Sequence, residues 1–357
     1  MKMVIDVFKR LSPMHPDTYF NKFSLLKEAL EHNPHNQFVT LLNTLSQSEN
    51  VLDGTVSYFY KHRDDIWFKL FFRDEALHAL VVRELEYQFK HNPDVKLTLT
   101  PRGIMIFDNY KPNKFNILLL TIHNGTWVES YVQEKMLWQA EKRYLEEDVE
   151  TNKLYSSLVF KYGGIWVENK QSRFMCDFNR SKDKAIYDDS SEKWLSSLWA
   201  EPLSGSISRR IMKSYAQFYL MLSKIVEVYN FNIIFDAHSM RNKKSRPDIS
   251  FGIAHSPEFY IPIVLQMQAH LRKELSRSVE INKPYKGGYI LEWLEERYPN
   301  RFIFSMEINK RLYMNRKHDK PSTEKIINIS SILENLFDFS SILPSHIIYR
   351  GKKLEET

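Results

Sequence analysis

Three apolar runs in this chain end on metal-capable side chains: Phe115-Asn-Ile-Leu-Leu-Leu-Thr-Ile-His123, Phe231-Asn-Ile-Ile-Phe-Asp-Ala-His238 and Arg301-Phe-Ile-Phe-Ser-Met-Glu307. Runs of this length, rich in Ile, Leu and Phe, read as buried strands of a mostly parallel sheet. In open α/β sheets the ligand site lies beyond the carboxyl ends of the strands. The three polar tips are therefore expected to meet in one crevice.

A chain of 357 residues, 43% hydrophobic and 26% charged, is long enough for one large domain and a smaller one. No stretch is apolar enough over sufficient length to span a bilayer, and Met1 to Arg10 lacks the apolar core of a signal peptide. The expectation is a cytoplasmic protein with no membrane partner. The single cysteine, Cys176, lies between Met175 and Asp177 and reads as a small core residue. The net charge of +6 comes from scattered basic residues, with a short cluster at Arg241-Asn-Lys-Lys-Ser-Arg246 and no nucleic-acid-binding motif. No nucleic acid partner is expected; the cluster instead follows His238 and would favour an anionic substrate there.

The pattern divides near residue 112. Residues 1–112 read as a mainly helical lobe, from the helical spacing of Phe23, Leu25, Leu26 and Leu30, of Phe38, Leu41, Leu42 and Leu45, and of a long stretch from Asp64 to Asn92. A short hairpin follows, Val95 to Thr100 and Ile104 to Phe107, turned by Pro101-Arg-Gly103. Residues 113–345 alternate strand-like and helix-like segments, as in an α/β catalytic domain with helices flanking the sheet, and 346–357 form a tail. Helices are expected over 128–145, after a cap at Ser206 or Ser208, over 290–297 and over 323–337.

A catalytic zinc takes three protein ligands from His and Asp/Glu and leaves one position to water, whose pKa falls to about 7. His123 and His238, at matching strand ends, are the first two candidates. The third is open between Glu129 and the acidic run Glu146-Glu147-Asp148, which completes the triad if it folds back to the sheet. Asp236, two residues before His238 and on the same side of its strand, is placed to orient that imidazole. Glu307 suits a general base and acid, against the alternative of a surface pair with Lys310 or Arg311. Arg173 and Arg180 supply planar guanidiniums for a carboxylate or a developing oxyanion.

Taken together, His123-Asn-Gly125, Ser172-Arg173 through Asp177-Phe-Asn-Arg180, Asp236-Ala-His-Ser-Met240, Asp248-Ile-Ser-Phe-Gly252, Pro284-Tyr-Lys-Gly-Gly-Tyr-Ile290 and Met306-Glu-Ile-Asn-Lys-Arg-Leu-Tyr-Met314 resemble, in order, the N-formylglutamate amidohydrolase family. The resemblance covers roughly 113 to 340. It implies a zinc-carboxypeptidase-like and aspartoacylase-like α/β fold with one zinc ion held by His123, His238 and an acidic residue of the 146–148 run, with Asp148 best placed. It further implies Glu307 as general base, Arg173 as carbonyl polariser and Asn179-Arg180 as the grip on a substrate carboxylate. Gly287 and Gly288 would admit the substrate close to the backbone, with Lys286 and Tyr289 in the same pocket. The chain departs from the family pattern in carrying Ile122 before the first histidine and Val149 after Asp148.

The reading that follows is a zinc-dependent amidohydrolase cleaving a C–N amide bond through metal-activated water, its substrate a small acidic N-acyl (for instance N-formyl) amino acid or a peptide end. A carboxypeptidase or peptide-processing metallohydrolase is the neighbouring alternative. A noncatalytic binding or scaffold protein retaining the fold is the alternative of another class, and stoichiometric metal separates it from the enzymes.

Overall fold

The computed structural model describes residues 74–91, 95–100, 102–188, 198–315, 317 and 320–338. The apolar spacings between Phe23 and Leu45, residues 64–73 and 92 of the stretch from Asp64, and the 346–357 tail lie outside these residues.

The three apolar runs form neighbouring parallel strands. Eight strands make one sheet: β1 (Lys96–Leu99), β2 (Ile104–Asn109), β3 (Ile117–Thr121), β4 (Gly164–Asn169), β5 (Ile233–Met240), β6 (Ile249–Gly252), β7 (Val279–Ile281) and β8 (Ile303–Asn309). Their order is β1-β2-β4-β3-β5-β8-β6-β7. The central block β4-β3-β5-β8 is parallel, whereas β1, β2 and the β8–β6 pairing are antiparallel. The hairpin thus forms, closing on Gly103 at φ +80°, and through β2 it extends the same sheet. Strands β3, β4 and β5 are buried along their whole lengths, which requires cover on both faces of the sheet.

Among the described residues the α-helices are α1 (Glu75–His91), α2 (Ser130–Gln133), α3 (Ala140–Tyr144), α4 (Thr151–Tyr162), α5 (Gly205–Val228), α6 (Ile261–Leu275), α7 (Tyr289–Arg297) and α8 (Thr323–Leu333). Helix α4 packs over β3, β4 and β5, with α8 against it. Leu77, Val81 and Leu85, four residues apart, put one face of α1 into the core.

Two local expectations are corrected. The 128–145 stretch is two short helices, because the backbone between them pairs elsewhere: Leu137 N–H donates to Leu198 O at 2.8 Å and Ala200 N–H to Lys135 O at 2.9 Å. Helix α5 is capped by Ser204, whose hydroxyl accepts from Ile207 N–H, two residues before Ser206 and four before Ser208.

Candidate metal centre

Parallel pairing brings the polar tips together. His238 and Glu307 are register partners on β5 and β8, and His123 lies two residues beyond β3, on the other side of β5. The 146–148 run does fold back onto these strand ends. The buried Lys310 ammonium holds it there, donating to Leu145 O at 2.8 Å and to Glu147 O. Asp148 N–H donates to His123 O at 3.0 Å, and the Tyr313 hydroxyl donates to Val149 O at 2.9 Å.

Asp148 Oδ2 consequently sits 2.9 Å from His238 Nδ1 and 3.5 Å from His123 Nδ1, all three residues being buried. Potential ligand atoms of the three lie within 4.8 Å of one another. The opposite nitrogens are tied by carboxylates: His123 Nε2 to Asp177 Oδ1 and His238 Nε2 to Asp236 Oδ2, each at 2.7 Å. Each imidazole is thereby held in the tautomer and orientation that turn Nδ1 toward Asp148. His123 Nδ1 is buried with no hydrogen-bond partner. A buried orphan nitrogen beside a carboxylate and a second imidazole is costly unless a cation occupies the space between them. Two imidazoles and one carboxylate are a donor set that suits a catalytic divalent ion such as zinc.

The other third-ligand candidates point elsewhere. Glu129 faces Arg102 at 3.1 Å and Arg210 at 3.4 Å. Glu146 pairs with Arg241, and Glu147 accepts from the Ser172 hydroxyl in a buried contact where desolvation raises its carboxyl to about 7.

Glu307 makes no surface pair with Lys310 or Arg311. Lys310 is engaged as above, and Arg311 Nε donates to Asp248 Oδ1 at 2.6 Å. Burial raises the Glu307 carboxyl to about 7, with His238 pulling it down and Asp148 pushing it up. Arg173 Nη2 donates to Asp177 Oδ2 at 2.8 Å and to the Tyr187 hydroxyl at 3.0 Å. Burial disfavours its charge, but Asp177 outweighs this and keeps the guanidinium protonated.

Asp177, part of a motif but without an assigned role in the sequence reading, is the hub behind His123. It accepts from His123, Asn179 N–H, Arg173 and Tyr187. Asn179 Nδ2 donates to Asp236 Oδ2 at 3.1 Å, and its Oδ1 accepts from Ile290 N–H at 3.0 Å at the start of α7. Arg180 keeps its guanidinium 4.7 Å over the Tyr187 ring, its Nε 3.7 Å from Asp177 Oδ2. A Cβ on Gly288 would fall 2.3 Å from Asn179 Oδ1, so that glycine admits the Asn179 amide. Gly287 takes φ +120°, Lys286 is exposed, and Tyr289 stacks edgewise on Tyr219 with ring centroids 6.0 Å apart. Tyr285, between Pro284 and Lys286, was missed: Arg246 lies over its ring at 5.4 Å, and burial together with the nearby Glu307 charge raises its phenol to about 12.

The N-formylglutamate amidohydrolase family model matches residues 115–314. Among solved structures, N-formylglutamate amidohydrolase from Ralstonia eutropha JMP134 superposes with a TM-score of 0.52 at 14% identity, over 67% of this chain and 98% of its own. The gene product Atu2144 from Agrobacterium tumefaciens gives a TM-score of 0.50 at 14% identity, over 67% of this chain and 96% of its own. At such identity these likenesses speak to the fold alone. No curated protein matches the chain.

Proposed function

Because the chain belongs to the N-formylglutamate amidohydrolase family, and is a hydrolase on that ground, we propose that it cleaves the C–N amide bond of an N-acyl amino acid or peptide end with one zinc ion held by His123, Asp148 and His238. The observation that carries the metal is the orphaned His123 Nδ1 facing Asp148 and His238. When bound, the ion supplies Lewis-acid polarisation of a carbonyl and acidifies an attacking water.

The chain's own groups do the rest. Glu307 takes the proton from the attacking water and delivers it to the departing nitrogen, as a carboxyl raised to about 7 can do at neutral pH. Arg173, held by Asp177 and Tyr187, donates to the carbonyl oxygen as negative charge develops. The water oxygen bonds to the carbonyl carbon, the C–N bond breaks and the amine leaves protonated. Arg180 and the segment Lys286-Gly287-Gly288-Tyr289 receive the substrate carboxylate side, and Asn179, engaged by Asp236 and Ile290, aligns this segment with His238.

Elemental analysis of the purified chain is the test, with His123→Ala as its control. About one zinc per chain, lost in the variant, supports the reading and is followed by assays on N-formyl and other N-acyl amino acids. No bound zinc, and none taken up on addition, replaces it with a noncatalytic binding role.

A further inference from the structure

The mechanism leaves unused a group of buried charges beneath the two loops that carry His123 and Asp148. Lys170, just after β4, directs Nζ to Glu84 Oε2 at 2.8 Å and to Glu168 Oε1 at 2.5 Å. Glu84 lies on α1 and also accepts from Gln88 Nε2 at 2.7 Å and Asn152 Nδ2 at 2.5 Å. Glu168 Oε1 also accepts from Asn124 Nδ2 at 2.6 Å. All six side chains are buried.

The two amides are the telling members. Asn124 directly follows His123, and Asn152 lies four residues after Asp148. Between them, the Thr151 hydroxyl is 2.9 Å from Asp148 O and 3.5 Å from Asn124 Oδ1. The backbone is drawn in as well. Trp127 N–H donates to Lys170 O at 2.9 Å, and a Cβ on Gly125 would stand 2.2 Å from Lys170 C, so the histidine loop lies directly on this lysine.

Burying one ammonium and two carboxyls is expensive, and apolar side chains would fill the same space at less cost if filling it were the only need. The charges are internally balanced. Burial raises Glu84, but Lys170 and three hydrogen bonds more than reverse that, whereas burial and the Glu84 charge raise Glu168 to about 8. What apolar packing would not provide is a directional tie from a rigid helix to both ligand loops.

We propose that Glu84, Lys170 and Glu168, acting through Asn124 and Asn152, are positioning residues that set the spacing of the His123 and Asp148 loops and so tune metal affinity. Helix α1 lies outside the 115–314 match, so an element added to the family core takes part in shaping the site. The inference rests on the zinc reading above.

The experiment measures zinc dissociation constants of the full chain by competition with a chromophoric chelator, alongside the metal-free melting temperature. Glu84→Ala and Lys170→Met are compared with Asn116→Ala, a buried amide at the opposite end of β3 that bonds Lys111 and Lys114 carbonyls. Network variants are expected to weaken zinc binding about 10- to 100-fold, as loss of an outer-shell partner does, while Asn116→Ala loses stability with affinity changed less than about twofold. Should Glu84→Ala fail to fold, Glu84→Asp retracts the carboxylate by one methylene and is expected to weaken zinc several-fold. Network variants that lose stability like Asn116→Ala yet bind zinc like the parent overturn the positioning role. A parent chain that takes up no zinc overturns the metal reading itself, and the positioning role with it.

Discussion

Each ionisable residue at the strand ends has its own set of contacts, and the proposed task of each can be tested against them. His238 receives Asp148 at one nitrogen and Asp236 at the other. Replacing it by Ala removes a proposed ligand and leaves two buried carboxylates facing a void, so His238→Ala is expected to lose zinc and activity together, read by elemental analysis and assay. Glu307 touches neither imidazole by hydrogen bond, so Glu307→Gln should keep the full metal content while kcat falls about 10²- to 10⁴-fold, the range of general acid–base catalysis. A Glu307→Gln chain that turns over like the parent would remove Glu307 from the mechanism. The pH dependence follows with a definite sign. The proposed base acts deprotonated, burial raises its carboxyl to about 7, and a bound cation would lower it. The kcat/KM profile should therefore rise with pH along an acid limb centred between the ordinary 4.5 and 7. A profile flat through that window would contradict the assignment.

At the scale of elements, the three apolar strands and the hairpin were legible, whereas β4, β6, β7 and the loops were not. Ile117–Thr121, Ile233–Met240 and Ile303–Asn309 announce themselves as apolar runs because a sheet buried on both faces leaves no polar alternation. Asp148 could be separated from Glu146 and Glu147 by family spacing but not by residue chemistry, since three consecutive acids differ only in where the backbone turns them. That turn depends on Lys310, over 160 positions away. Glu84 and Lys170 were hidden for the same reason: 86 residues separate them, and a glutamate on a helix reads as solvated. The 128–145 region misled because tertiary pairing with 198–200 overrode its helical spacing. Gly125 tests how tightly the histidine loop is built. Its Cβ would meet Lys170 backbone rather than a flexible side-chain end, so Gly125→Ala must displace the loop that carries His123. Zinc affinity is expected to drop at least about tenfold, with a lower melting temperature. Unchanged affinity would mean that this loop accommodates the methyl without moving His123.

For the whole molecule, the decisive property is that the residues of the site are tied to the sheet by contacts within the protein itself. Both histidines are held by carboxylates behind them, the Tyr155 hydroxyl donates to His238 O at 3.0 Å, and Asp148 N–H donates to His123 O in the loop after β3 at 3.0 Å. The strands beneath are joined by parallel pairing across β4-β3-β5-β8, and β3, β4 and β5 are buried along their whole lengths. The metal-free chain is therefore expected to keep its fold, unlike small domains whose folding energy comes from the metal. Binding to the native state alone then adds stability by mass action: about 2.7 kcal/mol at free zinc one hundred times the dissociation constant. For a domain of this size that corresponds to a rise of about 5–10 °C in melting temperature. Chelation should reverse the rise without altering far-ultraviolet circular dichroism at 25 °C, and His238→Ala should melt at one temperature with or without zinc. Collapse of the circular dichroism signal on chelation would show the reverse order of construction, with the ion organising the strand ends.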